Sequence, residues 1–152
     1  MVASASGMPQ KLGGVPVPGC PKLKGHSDAD VLIHAVIDAI LGATARGDIG
    51  LHFPDTDMRW KDADSAMLLT SVMDEIAEAG YSVGNVDVTL ICEKPKIRPH
   101  VDAIRQRLAE LLRVPADAVS VKGKTNEGMD ATGEGLGVAV HAVALVVPAA
   151  MG

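Results

Sequence analysis

Val138-Ala139-Val140-His141-Ala142-Val143-Ala144-Leu145-Val146-Val147 is apolar at every position but one. Its β-branched density predicts a strand. The usual alternation of apolar and polar residues is missing, so neither face is made for water. A strand of that kind is buried in a sandwich, under helices, or in a subunit contact. Upstream, Val119-Ser120-Val121-Lys122 reads as a short strand and Val86-Asp87-Val88-Thr89-Leu90-Ile91-Cys92 as a largely buried one. Between them, residues 100–113 predict a helix with Val101, Ile104, Leu108, Leu111 and Leu112 as its stripe. Lys94-Pro95-Lys96-Ile97-Arg98-Pro99 breaks the chain before that helix.

The first half is mainly helical. From Asp30 to Ala45 the apolar positions Val31, Ile33, Val36, Ile37, Ile40 and Leu41 form one broad face. Ser27 or Asp28 is the expected N-cap and Gly47 the expected terminator. Asp62 or Asp64 caps a second helix that runs through Ala79 and ends at Gly80. Asp48 to Asp57 reads as a loop rich in turn formers. Residues 1–25 hold too much proline and glycine for a helix, and Leu12 to Pro18 could supply one edge strand. Long helices on a small sheet of mixed strand direction give an α+β fold with three main helices. Residues 1–11 read as an irregular start and 12–152 as one domain, large enough to bury a core.

Composition limits the function classes. Aromatic residues make up 2%, only Phe53, Trp60 and Tyr81, so there is no stacking platform for nucleic-acid bases. A net charge of −5 lacks the basic field that a phosphate backbone attracts. No run approaches the roughly 20 apolar residues of a membrane span. Cys20 and Cys92 show neither metal-type nor redox-type spacing, which fits a reduced, cytoplasmic setting.

Five groups of residues could carry chemistry. On a helix, Asp30, His34 and Asp38 fall on one side, the pattern of a metal-ligating histidine with carboxylates one turn away. Taken alone, a hydrogen-bonded His–Asp pair is the simpler explanation, because such pairs are common satisfied polar groups. His26 and Ser27 could meet an anion at a helix N-terminus, or Ser27 could merely cap it. The acidic loop from Asp48 to Asp57 could bind a polar ligand or consist of Asx turns. The stiff, basic stretch from Lys94 to His100 suits phosphates or a nucleotide edge, or is a solvated helix entry. Lys122-Gly123-Lys124-Thr125-Asn126-Glu127 leaves a strand into a turn. Its Lys124 and Thr125 could hold phosphoryl oxygens, and Glu127 a cation that bridges a diphosphate. The glycine spacing is not that of a Walker A loop.

Seven strings in this order resemble the 2-C-methyl-D-erythritol 2,4-cyclodiphosphate synthases of the non-mevalonate isoprenoid pathway. They are His26-Ser27-Asp28-Ala29-Asp30 with His34, Gly47-Asp48-Ile49-Gly50, Phe53-Pro54-Asp55-Thr56-Asp57 and Asn85-Val86-Asp87. Pro95-Lys96 with Pro99-His100, Lys124-Thr125-Asn126-Glu127 and His141-Ala142-Val143-Ala144-Leu145 complete the set. The resemblance implies a homotrimer with its sheets toward the three-fold axis and active sites at subunit boundaries. It implies an enzyme, a phosphorus–oxygen lyase. The 2-phosphate of a cytidine diphosphate-linked methylerythritol would attack the β-phosphorus, closing a cyclic diphosphate and expelling CMP. It also implies His26 and Thr125 as catalytic groups and His34 as a ligand of Zn2+ (or Mn2+/Co2+). Glu127 would bind Mg2+ or Mn2+ on the diphosphate. Asp48, Ile49 and Gly50, with Phe53, Pro54, Asp55, Thr56 and Asp57, would hold the methylerythritol part near His26 and Ser27. Cys92, Glu93, Lys94, Pro95, Lys96, Ile97 and Arg98, with Lys124, Thr125, Asn126 and Glu127, would hold the cytidine diphosphate.

Two departures qualify what the resemblance implies. Family members open on a strand with an Asp-x-His pair that supplies two more zinc ligands. Counted back from Leu12-Gly13-Gly14, that histidine falls on Val2 and the aspartate before Met1; no other Asp-x-His occurs in the sequence. A single protein ligand does not make a zinc site, so low zinc content and low turnover are expected. Glu134 stands where many members carry an arginine near the diphosphate. Two further readings follow: a non-catalytic trimeric paralogue that holds a cytidine nucleotide or prenyl diphosphate, and a structural or fused domain that trimerises for assembly.

Overall fold

The computed structural model describes residues 9–20, 23–24, 28–125, 127–129 and 137–149. The amino-terminal segment folds as a hairpin rather than one edge strand. β1 (Gln10–Leu12) pairs antiparallel with β2 (Val15–Val17), with Leu12 opposite Val15. Gly13 and Gly14 join them at φ +64° and +78°, the left-handed backbone a two-residue hairpin demands. A Cβ on Gly13 would stand 2.6 Å from Ile104 Cγ2, so only glycine lets the turn rest on the helix that carries Ile104.

Helix α1 (Val31–Ala43) starts two to three residues later than expected, and its N-cap is Asp30, not Asp28. The Asp30 carboxylate is fully buried. It accepts from Ile33 N–H at 3.1 Å in its own helix, and from Gly13 N–H at 2.9 Å and Gly14 N–H at 2.7 Å in the hairpin. One side chain therefore satisfies both a helix start and a turn. Buried Gln10 adds a second tie: its Nε2 donates to the carbonyls of Asp28 and Ala29, and its Oε1 accepts from Leu23 N–H at 2.8 Å. The buried face of α1 is Leu32, Ile33, Val36, Ile37, Ile40 and Leu41, with Leu32 in the place expected of Val31. Each such side chain contributes about 1.5–3 kcal/mol on leaving water.

After α1 the expected loop contains one helical turn, α2 (Ile49–His52), because Asp48 caps it by accepting from Leu51 N–H at 2.9 Å. Helix α3 (Ser65–Glu78) is capped by Asp64, as expected, and Gly80 follows it at φ +90°. β3 (Tyr81–Ile91) is five residues longer at its start than expected. Helix α4 (Val101–Leu112) buries Ile104, Leu108 and Leu112, with Val101 and Leu111 half-buried beside them. β4 (Val119–Lys124) and β5 (Ala139–Pro148) complete the element order.

The main sheet has the order β4-β3-β5, parallel between β3 and β4 and antiparallel between β3 and β5. The mixed direction follows from the connections: α4 crosses over between the two parallel strands. Val86, Val88 and Leu90 of β3, with Val119 and Val121 of β4, face the helices and are buried. α1 packs across β5, α4 across β4, and α3 touches both helices. The other face of the sheet is open. There Val143 is 72% and Leu145 57% exposed, so the closing strand is covered on one face only within a single chain. No described helix is long and apolar enough to cross a membrane.

Burial pushes the Asp30 carboxyl from its ordinary 3.8 up to about 6, against the pull of the three N–H groups. The folded protein therefore takes up this proton more readily than the unfolded chain. The resulting stabilisation is complete below pH 3.8 and disappears as pH rises through about 6. Displacement from 3.8 to about 6 corresponds to about 3 kcal/mol. In urea unfolding followed by circular dichroism, the stability difference between wild type and Asp30→Asn is expected to change by up to that amount between pH 4 and pH 7. A difference constant across that window would show that Asp30 titrates alike in both states.

Candidate active site

His34 lies on the α1 face that meets the start of α3 and is half-buried. Its Nε2 lies 2.9 Å from Ser65 Oγ. Ser65, fully buried, donates its hydroxyl proton to Asp28 Oδ1 in a short contact, and its N–H to Asp28 Oδ2 at 3.1 Å. The expected Asp30–His34 pairing is not made, because Asp30 is committed to backbone N–H groups. Burial holds the His34 imidazole below its ordinary 6.5, opposed by the carboxylates of Asp28, Asp38 and Asp55. Three carboxylates thus act on a ring whose charged form burial disfavours.

Asp38 Oδ1 accepts from Ile49 N–H at 2.8 Å, which draws the Asp48-Ile49-Gly50 turn to the His34 side of α1. Beyond it, the Phe53 ring meets the edge of Trp60 at 4.9 Å and 85°, and Arg59 stacks 5.2 Å over Trp60. Asp57 caps the short 3-10 turn Met58–Trp60 and forms a forked ion pair with Arg59 at 2.6 Å. Asp48 and Asp57 therefore have structural duties as caps. Asp55 and Thr56 are exposed, and Pro54 is half-buried.

The second predicted group assembles at the far end of β3. Cys92 N–H donates to Lys124 O at 3.0 Å, so the stretch from Cys92 to Arg98 sits beside Lys124 and Thr125. A Cβ on Gly123 would approach Ile97 Cβ to 3.2 Å, so bare backbone there lets the loop close onto β4. Cys92 and Ile97 turn inward and are buried; the Lys94-Pro95 bond is cis. Lys94, Lys96, Arg98, Lys124 and Thr125 are exposed. Glu93 Oε2 is buried with no hydrogen-bond partner. Glu127, exposed at φ +52°, donates its N–H to Thr125 Oγ1 at 3.3 Å. Burial raises both thiols, Cys20 to about 11, so neither is a ready thiolate.

His26, Ser27, Asn126 and Glu134 lie outside the described residues. Ser65 is the residue the sequence reading missed: after Asp64 it looks like the first residue of an ordinary capped helix, and its partners are 31 and 37 residues away. A single exposed carboxylate, Glu127, suits a magnesium ion that takes most of its ligands from a diphosphate and water. His34 suits one position of a zinc site. Among the described residues no group of three His, Cys, Asp or Glu side chains could hold a metal, so these residues do not complete that site.

Comparison with known proteins bears on this geometry. The YgbB family pattern matches residues 2–147. The 2-C-methyl-D-erythritol 2,4-cyclodiphosphate synthase of Salinibacter ruber is 55% identical over 140 residues, covering 92% of this chain and 89% of that protein. The synthase of the same name from Halalkalibacterium halodurans is 54% identical over 136 residues, 90% of this chain and 87% of that protein. A solved structure of 2C-methyl-D-erythritol-2,4-cyclodiphosphate synthase in its CDP-bound form superposes with a TM-score of 0.86 at 35% identity, over 96% of this chain and 95% of that one. A shared fold over nearly the full length, with more than half of the residues identical to named synthases, assigns this chain to the YgbB family of 2-C-methyl-D-erythritol 2,4-cyclodiphosphate synthases.

Proposed function

We propose that this chain converts 4-diphosphocytidyl-2-C-methyl-D-erythritol 2-phosphate to 2-C-methyl-D-erythritol 2,4-cyclodiphosphate and CMP. The observation that carries this reading is the junction of the Cys92–Arg98 loop with Lys124 and Thr125, held by the Cys92 N–H to Lys124 O bond. It gathers exposed cations in a protein whose net charge is −5, as a diphosphate requires. The orphan acceptor Glu93 Oε2 adds support, since the amino group of a cytosine is a donor that would satisfy it. No observation favours the non-catalytic alternative.

The reaction forms one P–O bond, from a 2-phosphate oxygen to the β-phosphorus, and breaks the P–O bond to CMP. Positioning and charge neutralisation supply most of such a barrier reduction. Lys124 and the Thr125 hydroxyl stabilise charge on the phosphoryl oxygens, with His26 as the second catalytic group. Mg2+ or Mn2+ on Glu127 would add Lewis-acid neutralisation of the diphosphate. The turn of Asp48, Ile49 and Gly50, with Phe53 to Asp57, receives the methylerythritol part. Cys92 and Ile97 contribute through backbone groups, because their side chains face the core.

The proposed assembly is a homotrimer with its sheets toward the three-fold axis. The open face of β5, with Val143 and Leu145 exposed, supports it: such a face is covered at low cost by copies of itself.

Three results are expected. Thr125→Ala lowers kcat for CMP release by about 100-fold with little change in KM, as loss of a transition-state donor does; an unchanged kcat would remove Thr125 from the mechanism. Gly123→Val displaces Ile97 and weakens CDP binding by about tenfold in calorimetry, or about 1.4 kcal/mol; undiminished CDP affinity would place the nucleotide elsewhere. Leu145→Asp shifts the mass by light scattering from trimer to monomer, and a trimeric variant would contradict the proposed face.

A further inference from the structure

We propose that Ser65 and Asp28 lock the His34 ring in the tautomer that carries its proton on Nε2. The argument is a count of protons. The Asp28 carboxylate only accepts, and three donors of this chain point at it. They are the Ser65 hydroxyl, the Ser65 N–H at 3.1 Å and the Asp30 N–H at 3.1 Å. Ser65 has a single hydroxyl proton, and Asp28 takes it. Toward His34 Nε2, 2.9 Å away, Ser65 Oγ then offers only a lone pair. Nε2 must therefore be the N–H, which in the neutral ring leaves the lone pair on Nδ1.

The relay is fixed at both ends by backbone. Asp28 N–H donates to Ala63 O at 3.0 Å, which ties the start of the α1 segment to the α3 cap. Ser65 is fully buried at the first position of α3, so its rotamer is set by packing as well as by Asp28. Ser65 is thus a positioning residue, acting through His34. Its functional meaning, that His34 presents Nδ1 to a cation or to substrate, rests on the reading of the site given above; the tautomer itself does not.

The test is the tautomer of His34 in the full, 15N-labelled chain, read from two-bond 1H–15N correlations at pH 8 without added metal and assigned with His34→Gln. The expected spectrum places Nε2 among protonated ring nitrogens and Nδ1 among unprotonated ones. In Ser65→Ala the two resonances move toward each other as both tautomers become populated, a change that mere loosening of packing would not produce. A proton on Nδ1 in the wild type, or an even mixture, overturns the proposal; so does a Ser65→Ala spectrum identical to wild type. If Ser65→Ala fails to fold, the wild-type spectrum decides alone. CMP release on the same sample separates the two claims. The Nε2–H tautomer without turnover leaves the relay standing and removes the functional reading, whereas turnover with Nδ1–H removes the relay alone.

Discussion

The Asp30 carboxylate sits where the amino-terminal hairpin meets the first turn of α1, and the rest of the site takes its position from it. A buried carboxylate is costly unless its oxygens are satisfied. Here Gly13, Gly14 and Ile33 supply the donors, so the amino-terminal hairpin and the first turn of α1 cannot move independently. The hairpin in turn rests on α4 through the glycine facing Ile104. The segment between, with Ala29 in a left-handed conformation at φ +57°, is clamped by Gln10 on one side and Asp28 on the other. Backbone strain of that kind persists only where the surroundings over-determine it.

From this clamp the site divides into two regions of opposite charge. Around His34 the ionisable groups among the described residues are the carboxylates of Asp28, Asp38 and Asp55, while at the end of β3 the exposed cations Lys94, Lys96, Arg98 and Lys124 outnumber the exposed carboxylate of Glu127. An acidic protein can in this way hold a multiply phosphorylated molecule at a local basic edge while its bulk charge remains negative. Most of the remaining ion pairs on the described surface, such as Arg113 with Asp74 and Arg107 with Glu110, are solvent-exposed and contribute little to stability.

The sheet separates the helices from an open face. Its inner face is uniformly apolar and carries the helices. Its outer face mixes a Lys122–Asp87 pair at 3.0 Å with the exposed valine and leucine of β5. Because β5 pairs with β3 alone among the described strands, it is also a sheet edge. An apolar edge strand left open invites another chain.

Local chemistry was legible in the sequence wherever it depends on nearest neighbours. The helical stripe of α4, the Asp64 cap of α3, the strand identities and the α+β class all follow from periodicity and capping within a few residues. The same local signals failed where a side chain serves a distant segment. Asp30 reads as a partner for His34 four residues on, yet the N–H groups of the hairpin turn and of Ile33 claim it, because satisfying three backbone donors outweighs one pair with a half-buried ring. Asp28 reads as a cap and becomes the acceptor for Ser65, whereas Asp48 and Asp57, which read as turn formers or ligands, cap short turns. Residue types and order by themselves determined the family and the helices. Which oxygen meets which proton was decided only by tertiary structure, since Ser65, Asp28 and His34 are brought together by the packing of α1 against α3 and by nothing in their spacing along the chain.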